Sequence, residues 1–320
     1  MEALTADEIP SGPGWQYEPK WDGFRCLARK DGDTVELTSK SGQPLGRYFP
    51  ELVAAVAQVR SRRFLVDGEI VCPQFDQLLQ RIHPAASRVA RLSRETPARL
   101  VVFDLLEDGR GALLDRPLAV RRKRLEAFAK RFLTGERFEL SPATTARAKA
   151  LDWLEHRLTD LDGIVAKRLA DPYHAGERAG MVKVKRHRTA ECVVGGFRYS
   201  STGKGVGSLL LGLYDDEGLL DHVGFVAVAP RDRARWQKRL EPLRKAPGFT
   251  GKAPGGPSRW SQGRSTEWEP LEPVLVVEVE YDHVSGGRFR HGTRYLRERP
   301  DKPPARCTMD QIAKKRARAA

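Results

Sequence analysis

Two hydrophobic rhythms share the first part of the chain. Short runs alternate apolar and polar residues, as in Met181-Val182-Lys183-Val184-Lys185, where a strand would put both valines on one face and both lysines on the other. Longer stretches repeat apolar residues every three to four positions, as at Leu118, Leu125 and Phe128 and again at Leu151, Leu154 and Leu158, which predicts amphipathic helices. Asp31-Gly32 marks the turn of a strand pair. From Trp15 to about Arg188 this mixture predicts an α+β domain.

After Arg188 the rhythm becomes almost wholly that of strands. ECVVGGFRY, GSLLLGLYD, LLDHVGFVAV and VLVVEVEYDHV are separated by glycine-containing turns, and about five strands in roughly 120 residues predict a small β-barrel. An OB-fold is the natural candidate, since such barrels commonly bind oligonucleotides. A helix is expected from Arg231 to Arg244, and a mobile loop over the Gly, Pro and Ser-rich stretch from about Pro247 to Gly263. The chain shows no internal repeat and ends in a basic tail with Lys314, Lys315, Arg316 and Arg318.

Composition narrows the partner. The chain has 320 residues, enough for two domains, and 56 Lys+Arg against 42 Asp+Glu give a formal charge of +14, which favours a polyanion. No segment approaches the roughly 20 apolar residues that span a bilayer. MEALTADEIP has neither the basic nor the apolar region of a signal peptide, so a cytoplasmic location is expected. Cys26, Cys72, Cys192 and Cys307 form no CxxC pair, which argues against a zinc site and for reduced, mostly buried thiols.

The sharpest local pattern is Glu18-Pro19-Lys20-Trp21-Asp22-Gly23-Phe24-Arg25. A lysine ahead of a close turn at Gly23 can offer its amine to a phosphate, and neighbouring cations with desolvation would lower its pKa enough to make it a nucleophile. Further along, Asp67-Gly68-Glu69 would place both carboxylates on one strand face. Val101-Val102-Phe103-Asp104-Leu105-Leu106 is an apolar strand with one aromatic ring, and Asp162-Gly163-Ile164-Val165-Ala166-Lys167-Arg168 follows before the Lys183/Lys185 strand. Arg294-Tyr295-Leu296-Arg297-Glu298-Arg299-Pro300-Asp301-Lys302 closes the series. Each has a plain structural explanation when taken alone. Their order is what carries the reading.

In that order the segments resemble the K-x-D-G, D-G-E and following motifs of the covalent nucleotidyltransferases, and most closely the ATP-dependent DNA ligases of the compact LigC type and the LigD ligase domain. EPKWDG, DGIVAKR, GSLLLGLYD and RPDKPP carry the match, which spans nearly the whole chain. The resemblance implies an adenylation (nucleotidyltransferase) domain over residues 1–188, an OB-fold domain over 189–310 and a tail over 311–320. It implies that Lys20 attacks ATP and carries AMP to the 5′-phosphate of nicked duplex DNA in repair. It further implies nucleotide contacts from Glu18, Arg25, Lys40, Glu69, Phe103, Lys183, Lys185, Arg297, Arg299, Asp301 and Lys302, with Mg²⁺ or Mn²⁺ held by Glu69 and Asp162.

Two positions depart from the family pattern. Lys40, in Thr38-Ser39-Lys40-Ser41-Gly42, stands where the family has arginine, and Asp162 stands where it has glutamate. Lys40 keeps the charge but loses the bidentate fork, and Asp162 has a shorter reach to a metal. Because the last motif falls in the second domain, the resemblance also implies domain closure over ATP about a hinge near Arg186 to Ala190. A monomer is expected, and the relatives suggest a repair polymerase as protein partner. An NAD-dependent ligase is set aside for want of a four-cysteine zinc module. An RNA ligase, a capping-type transferase and a non-catalytic nucleic-acid-binding module are the rivals.

Overall fold

A computed structural model describes the chain except residues 158–160, 186–187, 202–204, 256–266, 291 and 314–320, and the side chains of 156 and 157. It divides into two units, Met1–Arg186 and His187–Ala320. The expected basic tail and part of the expected hinge lie outside the described residues.

Unit 1 begins with β1 (Leu4–Thr5), β2 (Trp15–Trp21), β3 (Phe24–Asp31), β4 (Thr34–Ser39), α1 (Pro50–Gln58), β5 (Arg63–Val71), α2 (Phe75–Arg81) and α3 (Ala86–Glu95). It continues with β6 (Arg99–Asp108), β7 (Gly111–Ala112), α4 (Leu118–Phe132), β8 (Phe138–Leu140), α5 (Arg147–Asp152), β9 (Leu161–Arg168) and β10 (Met181–Lys185). One sheet runs β4-β3-β5-β6-β7 with β8 beside β6, and a second runs β1-β10-β9-β2. The first sheet shares a core with α1 and α4, built on Phe49, Leu52, Phe64, Val66, Leu125 and Phe128. The second has its own, where Trp15, Tyr17, Ile164, Ala166 and Val184 meet Ala150 and Trp153. Alternation thus buries one face of β2, β9 and β10 and leaves the other to polar side chains.

Three glycines set how closely these strands approach. At Gly23, between β2 and β3, a Cβ would lie 2.2 Å from the Ile70 carbonyl oxygen, so the closeness read from the sequence is an approach to β5. At Gly68 it would lie 2.6 Å from the Val101 carbonyl oxygen, and at Gly163 only 2.1 Å from that of Val184. Pro19 is tolerated within β2 because that strand is a sheet edge.

Unit 2 contains β11 (Arg188–Tyr199), β12 (Val206–Tyr214), β13 (Leu220–Ala227), α6 (Arg233–Leu240), β14 (Glu269–Pro270), β15 (Val276–Tyr281), β16 (Val284–Ser285), β17 (Arg288–Phe289) and β18 (Arg294–Glu298). Its main sheet runs β13-β12-β11-β15-β18. The end strands are linked by the bridge Val226–Thr293 and by no ladder among the described residues, so the expected barrel stays open. β18 begins just after that bridge and gives its ladder to β15. The helix expected over 231–244 is α6 flanked by short 3₁₀ turns. Residues 256–263 of the stretch read as a mobile loop lie outside the described residues, while Phe249 in its first part is buried against positions where Gly195 and Gly212 leave room for its ring.

His222 on β13 is buried in this unit, and burial, with Arg288 and Arg198 acting in the same direction, pushes its imidazole down to about 3 from 6.5. An unfolded chain takes up this proton near pH 6.5, whereas the folded unit refuses it until about pH 3. The contribution of this group to stability is therefore complete above pH 6.5 and is lost as pH falls through the window from 6.5 to 3. Hydrogen exchange of β13 amides should show opening becoming easier across that window, by up to about 1.4 kcal/mol per pH unit. His222→Gln should flatten the slope. An unchanged slope in that variant would contradict the assignment.

Candidate active site

Residues facing each other across antiparallel strands share a sheet face, so the register assembles the site. Lys20 on β2 pairs with Gly163 on β9, which pairs with Lys185 on β10. One row on, Glu18 pairs with Val165 and Val165 with Lys183, and the next row holds Gln16, Lys167 and Met181. This polar face borders a cavity of about 400 Å³, lined also by Arg25, Lys40, Asp67, Glu69, Phe103, Tyr173 and Arg178 and by residues Met1 to Thr5. The structure therefore gathers Glu18, Lys20, Arg25, Lys40, Glu69, Phe103 and Lys183 around one pocket, as the sequence leads one to expect. Lys185 lies one pair farther along β10.

Charges divide the pocket. At one end they are quenched in pairs. Buried Lys167 donates to Glu18 Oε2 at 2.8 Å, and Gln16 donates to Oε1 at 2.7 Å. Arg25 clasps Asp67 through Nε at 3.1 Å and Nη2 at 2.6 Å, while the Tyr173 hydroxyl donates to Asp67 Oδ2 at 2.7 Å. Arg25 also reaches the Tyr173 oxygen at 3.2 Å and the Met1 carbonyl. The half-buried Phe103 ring takes the Lys167 ammonium 4.6 Å from its centroid and the Arg25 guanidinium at 5.9 Å.

At the other end cations predominate. Lys20 Nζ contacts Asp162 Oδ2 at 2.5 Å, joining two residues 142 positions apart in sequence. Lys183 is lowered from its ordinary value by burial first and then by Lys20, Lys185 and Lys40. Lys40 and Arg178 hold Glu2, whose carboxyl they depress to about 2. Burial pushes Glu69 up to about 8, against the pull of Lys20 and Arg25. A phosphate chain is the group such an end is built to take, since it answers several cations at once.

The sequence reading missed Lys167, Asp67 as the Arg25 partner, Tyr173 and Arg178. Lys167 was within reach, because period-two alternation from Val165 puts it on the same face. Tyr173 and Arg178 lie between β9 and β10, where no periodicity marks them.

Arg297, Arg299, Asp301 and Lys302 belong to unit 2 and form an ion network there. Arg297 donates to Glu278 at 2.7 Å, Arg299 forks onto Asp301 at 2.8–3.2 Å and also reaches Glu191, and Lys302 meets Glu191 at 2.5 Å.

Known proteins match this chain along most of its length. A family model described as ATP dependent DNA ligase domain matches residues 6–185, and one described as ATP dependent DNA ligase C terminal region matches 202–302. DNA ligase C1 of Mycolicibacterium smegmatis is 44% identical, over 98% of this chain and 92% of that protein. DNA ligase C of Mycobacterium tuberculosis is 40% identical, over 98% and 92%. The multifunctional non-homologous end joining protein LigD of Mycobacterium bovis is 34% identical, over 92% of this chain and 37% of its own length. A solved structure from a study of Lig E DNA ligases shares the fold, with a TM-score of 0.57 at 15% identity over 93% of this chain and 100% of the other. With the motifs of unit 1 meeting at one nucleotide-sized pocket and both family models matched in order, the chain belongs to the ATP-dependent DNA ligase family.

Proposed function

We propose that this ATP-dependent DNA ligase seals 3′-hydroxyl/5′-phosphate nicks through an AMP carried on Lys20. The observation that carries the reading is the row Lys20–Gly163–Lys185 with Asp162 at 2.5 Å from the Lys20 amine. The Lys20 amine attacks the α-phosphate, a phosphoramidate bond forms and pyrophosphate leaves. Asp162 Oδ2 holds the Lys20 ammonium and is a base at hydrogen-bond distance for its proton. AMP then passes to the 5′-phosphate of the nick, the 3′-hydroxyl attacks that phosphate, and AMP departs.

In this reading adenine stacks on Phe103, with the Glu18 carboxylate, steadied by Lys167 and Gln16, as a polar edge beside it. Lys183, Lys185 and Lys40 take phosphate oxygens, and Arg25 and Glu69 face the ribose end. Arg297, Arg299, Asp301 and Lys302 are the set we assign to the leaving pyrophosphate.

The carboxylates fit a divalent cation of the Mg²⁺ or Mn²⁺ kind. Glu69 has no hydrogen-bond partner or ion pair among the described residues, so its oxygens are available. No group of three or more His, Cys, Asp and Glu gathers among the described residues, which suits an ion that takes one or two carboxylates and completes its shell with phosphate oxygens and water. Such an ion, when bound, offsets charge on the phosphates. The name of the LigD relative suggests a repair role for this chain in end joining, with a repair polymerase as a candidate partner.

One experiment tests the reading and its rivals together. The full chain is incubated with α-labelled ATP or GTP and a divalent metal, then given nicked DNA or nicked RNA. Covalent label from ATP and sealing of nicked DNA are expected. Label from GTP would favour a capping-type transferase, preferred sealing of RNA an RNA ligase, and absence of label a binding module.

Tyr173 gives a finer prediction. Tyr173→Phe removes the hydroxyl that ties the β9–β10 connection to Asp67 and Arg25. A hydrogen bond to a charged group contributes about 1.5–3 kcal/mol, so the ATP concentration for half-maximal lysyl-AMP formation should rise about tenfold or more. The saturating rate should hold within about twofold, because the hydroxyl is not placed at the reacting atoms. A fall in the saturating rate alone would contradict this role.

A further inference from the structure

Three arginines on or just past β18 are answered by a carboxylate: Arg294 by Glu280, Arg297 by Glu278 and Arg299 by Asp301. Arg198 near the end of β11 and Arg288 on β17 are not; among the described residues neither has an ion pair. Arg288 instead places Nη2 2.7 Å from Nδ1 of His222. A guanidinium has only hydrogens to offer, so Arg288 donates and Nδ1 accepts. The imidazole's own hydrogen is then on Nε2.

That Nε2 is buried without a partner, and so is Nε of Arg198. Both orphaned atoms are donors. His222 itself is only 5% exposed, so its unmet N–H cannot be left to bulk water. The cluster therefore presents donors from three side chains, two of them cationic, against the Gly224 backbone beside His222, with no carboxylate paired to either guanidinium among the described residues. A buried donor left unmet is costly, and the two guanidiniums repel each other. An anion with several acceptor oxygens, meeting the two guanidiniums, relieves that repulsion.

The fold holds the cluster in place. Phe289, beside Arg288, seats the β16–β17 hairpin on β13 at Gly224, where a Cβ would lie 2.8 Å from its ring. Arg198 is fixed by its pairing with Ser208 on β12. His222 stays neutral, burial being the first cause, so it orients Arg288 without quenching its charge, as a carboxylate would. This distinguishes Arg288 from Arg294 and Arg297.

We propose that Arg198, His222 and Arg288 form a phosphate site that grips the sugar–phosphate backbone of the nicked duplex, with His222 as the neutral residue that aims Arg288. The proposal rests on the DNA-ligase reading and extends it to named residues of unit 2. Arginine forks suit the tetrahedral oxygens of a phosphodiester, and duplex DNA is the polyanion this reaction brings.

The test uses the full chain and a fluorescent nicked duplex, with affinity followed by anisotropy over a range of salt. Arg198→Ala and Arg288→Ala should each weaken binding about three- to tenfold at low salt. Each should also reduce the slope of log affinity against log salt by about 0.9 for every phosphate the variant no longer neutralises. His222→Gln keeps a neutral acceptor and should bind nearly as the parent does. His222→Glu keeps an acceptor but neutralises Arg288, and should bind as weakly as Arg288→Ala. Lysyl-AMP formed without DNA should be unchanged in all four and reports that the chain is folded. Arg198→Gln and Arg288→Gln replace any alanine variant that fails that check.

Parent-like slopes in folded Arg198 and Arg288 variants would overturn the proposal. So would a loss of ATP affinity with duplex binding intact, or equal binding by the two His222 variants. A parent that forms lysyl-AMP and seals nicks while the Arg198 and Arg288 variants keep its slope condemns the site alone. A parent that forms no lysyl-AMP condemns the ligase reading first.

Discussion

Lys20→Ala should take up no covalent label from α-labelled ATP and should seal ordinary nicks at least about 10⁴-fold more slowly than the parent. The expectation rests on position as well as chemistry. Lys20 is 24% exposed in its side chain, enough to meet a substrate, and it is held at 2.5 Å by Asp162. No neighbour can substitute, because Lys183 and Lys40 approach the pocket from other segments and are placed to meet phosphate. A nick that already carries AMP on its 5′-phosphate bypasses the nucleophile, so the variant should lose far less on that substrate. A gel assay with both substrates separates the outcomes. Equal loss on both would mean that Lys20 chiefly binds phosphate, and equal labelling of variant and parent would remove it from the chemistry.

How much of this was legible beforehand depended on whether the deciding interaction was local. Period-two alternation in Met181–Lys185 told which side of β10 would be buried, and Val184 indeed lies in the core while Lys183 lines the pocket. The ordered motifs supplied the pocket's membership. They could not supply its pairings: that Asp162 would hold Lys20, or Glu18 be held by Lys167, depends on register between strands more than 140 residues apart. Tyr173 was silent because a connecting segment has no period to betray which residue turns inward. Phe249, within a Gly and Pro-rich stretch, is buried through a fit to Gly195 and Gly212 that leaves no local trace. The barrel was overstated for a similar reason. Strand count is visible in sequence, whereas closure depends on whether the end strands β13 and β18 meet along their length, and they meet at a single bridge.

Arg121→Leu should lower the stability of unit 1 by about 3–5 kcal/mol, because it leaves the Asp104 carboxylate buried without its partner. Both side chains are nearly inaccessible, at 1% and 2%, and the guanidinium is bidentate, with Nε at 2.9 Å from Oδ1 and Nη2 at 3.0 Å from Oδ2. Arg121 also donates to the carbonyls of Arg116 at 2.6 Å and Asp171 at 3.2 Å, and lies 5.7 Å from the Tyr173 ring centroid. One side chain from α4 therefore anchors β6 beside Phe103 and the connection that delivers Tyr173 to Asp67. A shift of roughly 6–20 °C in the midpoint of unit 1 is expected, from about 2–4 °C per kcal/mol for a unit of this size. The double change Asp104→Leu with Arg121→Leu should recover part of the loss, since it replaces the paired charges by apolar volume, whereas the single change strands one charge in the interior. If the single variant costs under about 1 kcal/mol, Asp104 must find solvent that this structure denies it. If it costs the full amount and ATP affinity also falls in protein that remains folded, then the buried pair is what keeps the adenine end of the pocket in shape, upstream of Tyr173 and Arg25.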